Sequence, residues 1–200
     1  MTNFSEVTVT AFRGPGAEPF TDAIAGLRIT VFREFPYLYD GSPEYEREYL
    51  SRYFGCPESI VVLAREGGEV VGASTGIPLD AGEPEFRAPF ENAGHDVSAF
   101  FYFGESVLLP RLRGRGIGHR FFDEREAHTR RLKRFTHCAF CAVERPADHP
   151  RRPHGYRPHN AFWTKRGYTR QPALRTAFTW QDLDESAPSP KPMVFWTRRL

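Results

Sequence analysis

A strand, a basic glycine-rich turn and a helix follow one another without interruption near the middle of this chain. The apolar run that ends at Leu109 predicts a buried strand, and the amphipathic run over residues 117–133 predicts a helix. Between them, Gly114, Gly116 and Gly118 stand at alternate positions. Glycine permits left-handed backbone and leaves no side chain between the main chain and a ligand. Because a helix N-terminus also carries about half a positive charge, the turn predicts a binding site for a phosphate-bearing ligand.

Two familiar phosphate-binding motifs do not fit this turn. A Walker loop requires four residues between its glycines and then Gly-Lys-Ser/Thr. A dinucleotide fingerprint requires Gly-x-Gly-x-x-Gly, whereas the sixth position from Gly114 is His119. The spacing that fits is Arg-x-x-Gly-x-Gly, at Arg113, Gly116 and Gly118. This motif resembles the acetyl-CoA pyrophosphate signature of the GCN5-related N-acetyltransferase (GNAT) superfamily; the alternative is an ordinary glycine-rich turn.

Length and charge restrict the class of protein. Two hundred residues, 40% of them hydrophobic, suit one α/β domain with a single core. The formal net charge of +2 is close to neutral and favours neither a nucleic acid nor an anionic membrane as partner. Basic residues do crowd between Arg111 and Arg134, but Asp123, Glu124 and Glu126 are interleaved with them. A solvated helix face is therefore favoured over a nucleic-acid contact.

The three cysteines favour a reducing compartment and core packing. Their number, with no apolar leader after Met1, predicts a cytoplasmic protein, and no apolar run approaches the ~20 residues that cross a bilayer. The spacing Cys138-x-x-Cys141, with histidines nearby, suggests a zinc site. However, residues three apart on a strand point to opposite faces and cannot share one ion. We therefore expect buried thiols and no metal.

The hydrophobic pattern predicts alternating helices and strands along the whole chain. Strands are expected at 7–12, 59–64, 69–76, 99–109, 135–143, 174–180 and 193–198, and helices at 22–35, 44–54, 117–133 and 158–165. In the third helix Ile117, Phe121, Ala127 and Leu132 are expected to face inward. Irregular loops are expected at 79–98 and 144–157, and a linker at 186–192. This order resembles the GNAT arrangement and implies one α/β (α+β) domain over residues 1–200. Its expected core is a mixed, mostly antiparallel, twisted sheet of six to seven strands flanked by about four helices.

The resemblance implies which residues hold the acetyl donor. In this superfamily the strand before the phosphate turn separates from its neighbour, and its backbone pairs with the pantetheine arm of acetyl-CoA. By position that role falls on Val107, Leu108 and Leu109. The pyrophosphate is expected on the backbone amides of the turn, at Arg113, Gly114, Arg115, Gly116, Ile117, Gly118 and His119. Asn160 is a further candidate for contact with the CoA arm.

The resemblance also implies two proton-transfer roles. Amines are mostly protonated at pH 7, so a general base increases the reactive fraction. Glu105, eight residues before Arg113, occupies a position where several GNAT enzymes carry an acidic residue; the alternative is a structural salt bridge to an arginine. The proton donor to the thiolate is usually a tyrosine four residues before the Gly-Tyr step, where this chain has Trp163, and an indole is far too weak an acid for that role.

The departure at Trp163 leaves the general acid open. Tyr156 is the preferred substitute, with Tyr168, His154, His159 or no general acid as alternatives. It also motivates a second hypothesis, a non-catalytic acyl-CoA-binding sensor, beside the leading one of an acetyl-CoA-dependent N-acetyltransferase with direct transfer to a primary amine.

The acceptor clues conflict. Aromatic residues expected near the acceptor are Phe32, Phe35, Tyr37, Tyr39, Phe86, Phe90, Phe101, Tyr102 and Phe103, many of them necessarily core. Acidic residues suggest a cationic acceptor (Asp40, Glu83, Glu85 and Glu91), whereas basic ones suggest an anionic acceptor (His149, Arg151, Arg152 and His154). The class of protein favours a small-molecule amine or a peptide amine. A terminal strand after the linker suggests pairing across a homodimer.

Overall fold

A seven-stranded sheet forms the centre of the molecule. The computed structural model describes residues 6–200, and residues 1–5 of the predicted domain lie outside the described residues. The strands are β1 (Val7–Arg13), β2 (Ile60–Glu66), β3 (Glu69–Pro78), β4 (Phe100–Leu108), β5 (His137–Val143), β6 (Thr169–Trp180) and β7 (Ser189–Arg199). Their order is β1-β2-β3-β4-β5-β7-β6, and only the β4–β5 pair among them is parallel. The predicted mixed, mostly antiparallel sheet is confirmed.

Within residues 6–200, five α-helices accompany the sheet: α1 (Thr21–Phe32), α2 (Pro43–Gly55), α3 (Pro84–Asn92), α4 (Ile117–Leu132) and α5 (Asn160–Lys165). On one face, α1 and α2 bury Ile24 and Leu50 in a cluster that includes Val61 of β2. On the other face, Phe121 of α4 packs in a cluster that includes Val62. Because successive residues of a strand point to opposite faces, β2 is buried on both sides.

Local signals place the start of α2 and the β2–β3 hairpin where the sequence predicts them. Ser42 caps α2, since its hydroxyl accepts a hydrogen bond from the Tyr45 amide at 3.3 Å, and Pro43 occupies the first helical position. The hairpin turns at Gly67 and Gly68, whose φ angles of 57° and 92° favour glycine.

Helix α1 ends at Phe32, three residues earlier than predicted. The chain leaves the helix and folds back, so that the amide of Tyr39 donates to the carbonyl of Phe32 at 2.9 Å. Phe35 looks like the last apolar residue of the helical pattern, but its ring instead contacts the rings of His149 and Tyr156 at 5.5 and 4.7 Å. The apolar side chain of Phe35 therefore packs against the segment 144–157 and does not extend the helix.

The segment 79–98, predicted to be irregular, contains α3, and that prediction is wrong. Pro89 inside the helix and the surrounding glycines and acids conceal it, because proline disfavours a helix interior. Phe86 and Phe90 are the remaining signal, spaced four residues apart on one helical face. Both are buried, the first stacked on Tyr102 at 4.3 Å and the second against Phe195 at 4.9 Å. Tertiary packing therefore overrides local propensity here.

The inward face of α4 differs from prediction at one position. Ile117 and Phe121 are buried and Leu132 is partly buried against the core, as predicted, but Ala127 is exposed. The 3.6-residue period brings Arg125 inward instead, and its side chain is fully covered. The apolar pattern mispredicts the inward residue at this turn because the buried position is occupied by a charged residue, Arg125, and not by an apolar one.

The C-terminal strands differ from prediction in extent. Residues 189–192 of the predicted linker belong to β7, and β6 begins at Thr169 with an irregularity between Gln171 and Arg175. Strand β7 pairs with β5 on one side and β6 on the other, within the same chain. Both edges of this terminal strand are thus occupied in the single chain, and the homodimer stays a prediction.

A separation between β4 and β5 positions the functional site. The two strands pair from Phe100 to Tyr102, opposite His137 to Ala139. Beyond these residues β4 and β5 no longer pair with each other, and the next stretch of each lines a common cleft. The expected separation of the strand before the glycine turn is thus present.

Candidate active site

The cleft between the separating strands has a volume of about 910 Å³. Its walls come from 103–108 of β4, 140–143 of β5, the turn at 113–119, helix α5 and the segments 31–37 and 144–156. Two irregular loops were expected on the acceptor side. The loop 144–157 lines the cleft, whereas the segment 79–98 contributes no residue to the cleft lining. These elements bring the glycine turn and Glu105 to one continuous opening.

The glycine turn presents unobstructed backbone at one end of the cleft. Gly114 and Gly116 have φ of 77° and 79°, and a Cβ at either would meet no atom within 4 Å. A side chain there would be strained by the backbone and would project into space that a ligand can use. Gly116 directly precedes α4, so the amides of Ile117 and Gly118 start the helix without intrahelical acceptors. The amide of His119 is engaged, donating to the Gly116 carbonyl at 3.0 Å.

The side chains of the turn divide into those in the cleft and those outside it. Arg113 and His119 line the cleft, whereas Arg115 and Ile117 do not; the Ile117 side chain is buried in the core. Arg113 is held in place, since it pairs with Glu34 at 2.7 Å and donates through Nε to the carbonyl of Leu108 at 3.2 Å. The turn therefore offers mainly main-chain donors, with one arginine shared with Glu34.

The three residues predicted to meet the pantetheine arm are not equivalent. Leu108 lines the cleft, while Val107 is completely buried and paired opposite Ala73. The amide of Leu109 donates to the carbonyl of Val71 at 3.1 Å, toward β3. Since hydrogen-bonding groups of neighbouring residues in a strand alternate between its two edges, Leu108 has its backbone groups on the open edge.

A bulge in β4 directs Glu105 toward the cleft. Ser74 pairs opposite Ser106 and Gly76 opposite Phe103, so Gly104 and Glu105 together face the single residue Thr75. An extra residue of this kind re-aims the side chains beside it. The two oxygens of Glu105 differ as a result: Oε2 accepts hydrogen bonds from Thr75 at 2.9 Å and Tyr49 at 3.1 Å, whereas Oε1 is buried without a hydrogen-bond partner in the described chain.

Both alternatives considered for Glu105 have structural support. Arg28 pairs with its Oε2 at 2.7 Å, which is the structural salt bridge. The side chain is 3% exposed, and it lines the cleft with Oε1 unpaired. An unpaired buried carboxylate oxygen is costly unless a ligand supplies a donor. One oxygen of Glu105 is therefore committed to the fold, and the other is available to a ligand.

Arg28 joins two carboxylates below the cleft. It pairs with both Glu46 and Glu105, and its guanidinium lies 4.1 Å from the ring centroid of Tyr49. Burial by itself lowers the pKa of Arg28, but Glu105, Tyr49 and Glu46 more than offset this and raise it well above its usual value. Arg28 therefore links Glu46 of α2 and Glu105 of β4 in one buried cluster beside the cleft.

Arg125 and Ser106 are functional-site residues that sequence reasoning missed. Both line the cleft, and Arg125 donates to Ser106 Oγ at 2.8 Å and to the carbonyls of Thr75 and Glu105 at 3.2 and 3.1 Å. Burial lowers the pKa of Arg125 to about 10, which still leaves it charged at neutral pH. The arginine therefore fixes the backbone of the bulge from the α4 side. Its helical spacing from Phe121 is the signal that could have revealed it.

The candidates for the general acid separate clearly. Tyr156 and His159 line the cleft, whereas Tyr168 is buried and donates to Glu126 at 3.1 Å, and His154 is not among the lining residues. Burial raises the pKa of Tyr156, and Arg152 partly opposes the rise. Burial lowers the pKa of His159, with a further contribution from Arg113. A protonated phenol at Tyr156 is thus present in the cleft.

Helix α5 supplies the remaining predicted residues. Asn160 lines the cleft at the first position of this helix. Trp163 also lines it, and its ring packs against Phe140 at 5.0 Å and Trp196 at 5.2 Å. The indole therefore anchors α5 to the sheet.

Tyr37 is a second phenol in the cleft, and the sequence analysis gave it no catalytic role. Its ring contacts Phe32 at 4.6 Å, and its carbonyl accepts hydrogen bonds from Arg145 and Trp180. Burial raises its pKa strongly, and Cys141, Tyr156 and Glu105 raise it further. Tyr37 is therefore a second protonated phenol among the residues that line the cleft.

The predicted acceptor residues distribute unevenly. Phe32, Phe35, Tyr37 and Phe103 line the cleft, whereas Phe86, Phe90, Phe101 and Tyr102 are core residues outside it. Of the charged residues that gave conflicting indications, the acids Asp40, Glu83, Glu85 and Glu91 do not line it, and among the basic ones only Arg152 does. Of the two sets of charged residues that suggested opposite charges for the acceptor, only the basic set therefore has a member in the cleft.

The cysteines lie on opposite faces of β5, as predicted. Cys138 packs in the cluster below α4, whereas Cys141 lies on the other face, 3.1 Å from the Tyr102 hydroxyl. Burial raises the pKa of each thiol to about 12. Within residues 6–200 no group of three or more His, Cys, Asp and Glu side chains is arranged to hold a metal, and no helix there is long and apolar enough to cross a membrane.

The similarity of this chain to known proteins is found in its structure and not in its sequence. No protein-family model matches the chain, and no curated protein matches it by sequence. Solved structures do match its fold over nearly the whole length. Ribosomal-protein-alanine N-acetyltransferase from Brucella melitensis is 14% identical, with a TM-score of 0.63 and coverage of 96% of this chain and 99% of that one.

Two further structures identify the fold. An acetyltransferase of the GNAT family from Streptococcus pneumoniae is 10% identical, with a TM-score of 0.57 over 98% of this chain and 100% of that chain. The yncA protein from Salmonella typhimurium, solved with its cofactor acetyl-CoA, is 12% identical, with a TM-score of 0.57 over 97% and 94%. The chain therefore has the fold of an acetyltransferase. More narrowly, it is the fold of the GCN5-related N-acetyltransferases, which the glycine turn had indicated.

Proposed function

We propose that this protein transfers an acetyl group directly from acetyl-CoA to a primary amine. The observation that carries the proposal is the unpaired Oε1 of Glu105, buried in the cleft at the point where β4 and β5 separate. A carboxylate oxygen placed in this way can accept a proton from an attacking amine. The yncA structure, which has the same fold and contains acetyl-CoA, supports the choice of donor.

The residues at the glycine turn fit the donor. The space beside Gly114 and Gly116 is open at the start of α4, where the helix dipole and the free amides of Ile117 and Gly118 favour the negative pyrophosphate. The open edge of β4 then receives the pantetheine arm at the Leu108 amide, and Asn160, which lines the same cleft, contacts that arm. These contacts direct the thioester toward the separated part of the strands. Alignment of this kind supplies much of the rate enhancement in a transfer between two bound molecules.

Glu105 and Tyr156 divide the proton transfers. Oε1 of Glu105 takes a proton from the amine, directly or through one water, as the amine nitrogen forms its bond to the acetyl carbon. The bond between that carbon and the CoA sulfur breaks, and the Tyr156 hydroxyl gives its proton to the sulfur. Arg28 and Tyr49 hold the other oxygen of Glu105, so the base keeps its orientation throughout.

The acceptor is a small-molecule amine or a peptide amine. The Brucella protein is named for acetylation of a ribosomal-protein alanine, which supports an amine as the reacting group. As the working compartment we propose a reducing cytoplasm, since Cys56, Cys138 and Cys141 are all free thiols.

Release of free CoA thiol on mixing the protein with acetyl-CoA and a panel of amines tests the proposal. We expect amine-dependent thiol release and a product heavier than its amine by one acetyl group. The matched control is hydrolysis of acetyl-CoA without amine, which should be slow. Tight CoA binding without turnover across the whole panel contradicts the enzyme and favours the sensor hypothesis.

A further inference from the structure

Arg152 differs from the other arginines of the cleft. Five arginines line it, namely Arg113, Arg125, Arg145, Arg152 and Arg170. Three of them form ion pairs: Arg113 with Glu34, Arg145 with Asp182 and Arg170 with Glu144. Arg125 donates to backbone carbonyls and to Ser106. Arg152 alone makes neither an ion pair nor a side-chain hydrogen bond within residues 6–200.

Aromatic rings hold the Arg152 guanidinium at the cleft. Its central carbon lies 5.0 Å from the ring centroid of Tyr156 and 6.0 Å from that of Phe35, and the residue is half-buried. Cation–π contacts orient a guanidinium without neutralising its charge or using its N–H groups. The planar fork therefore stays available to an anion.

The loop that carries Arg152 is fixed to the opposite wall of the cleft. Arg145 donates to the carbonyls of Pro36 and Tyr37 at 2.7 and 2.8 Å, and it pairs with the buried Asp182. Phe35, beside these carbonyls, contacts the Tyr156 ring at 4.7 Å. Arg152 is therefore presented from an anchored segment.

The cleft thus contains two unmatched charged groups of opposite sign. Oε1 of Glu105 lacks a donor, and the Arg152 guanidinium lacks an acceptor. Both groups line the same cleft, and Tyr156, whose ring contacts Arg152, lines it with them. A ligand with a cationic amine and an anionic group would satisfy both.

We propose that the acceptor is an amino-carboxylate, in which the reacting amine faces Glu105 and the carboxylate pairs with Arg152. The inference rests on the proposed function, because it assigns the amine end to the acetyl-transfer position. A carboxylate matches a guanidinium fork through two parallel hydrogen bonds, which sets the direction of the molecule as well as its affinity. The phosphates of CoA already have the amides of the glycine turn, so a second anion is the better partner for Arg152.

Matched acceptors that differ only by a carboxylate test the inference. Suitable pairs are phenylalanine with phenethylamine, tyrosine with tyramine, lysine with 1,5-diaminopentane, and 6-aminohexanoate with pentylamine. We expect the carboxylate member of at least one pair to be acetylated with a kcat/KM at least tenfold higher. Arg152→Met should lower that preference about tenfold through the KM of the carboxylate-bearing acceptor, with the acetyl-CoA KM unchanged. Arg151→Met, at the exposed neighbour, is the control and should leave all of these values unchanged.

The outcomes distinguish failure of the inference from failure of the proposed function. Equal or better use of the carboxylate-free member in every pair overturns the inference while acetyl transfer stands. An effect of Arg152→Met on the acetyl-CoA KM alone also overturns it, because the arginine then serves a CoA phosphate. If no amine is acetylated, calorimetric titration of the four amino-carboxylates into the CoA-saturated protein decides. Binding that is lost in Arg152→Met supports the inference, and absence of binding overturns it.

Discussion

The two ends of the cleft are built in different ways. The end that we propose for the donor, called the donor end, consists of consecutive residues, 108–119, and offers mainly backbone amides at a helix start. The acceptor end consists of side chains from α1, β4 and the segments 33–37 and 144–157, which are far apart in sequence. A backbone site is specified by glycine spacing, whereas a side-chain site is specified by the packing that assembles it. The comparison explains why the proposed donor is easier to infer than the acceptor.

The charges at the two ends also differ. At the donor end Arg113 and Glu34 are each about 43% exposed, so solvent screens their pairing. At the acceptor end Arg28, Glu46 and Glu105 are almost completely buried, and each depends on the others. Changes at the acceptor end should therefore affect stability as well as activity, and changes at the donor end mainly ligand binding.

Arg28→Met should have the largest effect, on stability. The change leaves Glu46 and Glu105 buried without their cation, which costs about 3 to 5 kcal/mol when one partner of a buried ion pair is removed. Urea unfolding measures the loss. Arg33→Met, which removes an exposed pair with Asp40, should cost less than about 1 kcal/mol.

Glu105→Gln should lower kcat/KM for amine acetylation by about 100- to 1,000-fold at pH 7, because the amide cannot accept the proton. The deficit should shrink as the pH rises, since more of the amine is then free without help. Steady-state kinetics between pH 6 and 10 measure both effects. Glu46→Gln removes the other carboxylate on Arg28 but no group that lines the cleft, and it should retain most of the activity. Equal losses in the two variants would show that Glu105 acts only through the fold.

Gly116→Asp should weaken CoA binding by about 30- to 100-fold, with little effect on the acceptor end. The change adds a strained left-handed residue and a negative charge beside the phosphate site. Isothermal titration with CoA measures the dissociation constant. Gly155→Asp is the matched control, since that glycine also has a positive φ of 76° in open space but lies outside the cleft lining. If both variants bind CoA equally well, the glycine turn is not the phosphate site.

Tyr156→Phe should lower kcat about tenfold, a smaller effect because a thiolate leaves readily without full protonation. Tyr37→Phe, the second phenol of the cleft, provides the comparison, and Tyr45→Phe at an exposed position provides the control. Pre-steady-state measurement of thiol release assigns the step. A larger loss in Tyr37→Phe than in Tyr156→Phe would move the general acid from the loop to the segment after α1.

Glu34→Gln should have the smallest effect, and it should improve the donor end. Without its carboxylate partner, Arg113 is free for phosphate, so the dissociation constant for CoA should fall by about two- to threefold at low ionic strength. Titration at 20 and 300 mM salt should show the gain disappearing at the higher concentration. Weaker CoA binding in this variant would mean that Glu34 positions Arg113 rather than competing for it.

Most of the fold was predictable because apolar periodicity and turn residues act locally. The strands near 7–12 and 69–76 and the helix from Ile117 have these signals, and the structure has them within a few residues. Helix α3 was missed because Pro89 contradicts it locally, and it forms through contacts of Phe86 and Phe90 with distant strands. Arg125 was missed because a buried arginine interrupts an apolar pattern.

The candidate site was predictable to different depths. Arg113, Gly116 and Gly118 were recognisable from six consecutive positions, and Glu105 from its distance to them. By contrast, Tyr37 and Arg152 carry no local pattern that separates them from other tyrosines and arginines. Their place in the cleft depends on how 33–37 and 144–157 fold against each other, and sequence spacing does not contain that information.

By itself the sequence determined the alternation of helices and strands and the open backbone of the glycine turn, because hydrophobic periodicity and glycine dihedrals are properties of neighbouring residues. The different pairing of the two Glu105 oxygens, and the lack of a carboxylate partner for Arg152 within residues 6–200, follow instead from tertiary contacts. These depend on the bulge at Gly104 and Glu105 and on ion pairs such as Arg28 with Glu105, 77 residues apart in the numbering. Electrostatic partners are chosen by distance in space, and that distance is set when the whole chain packs.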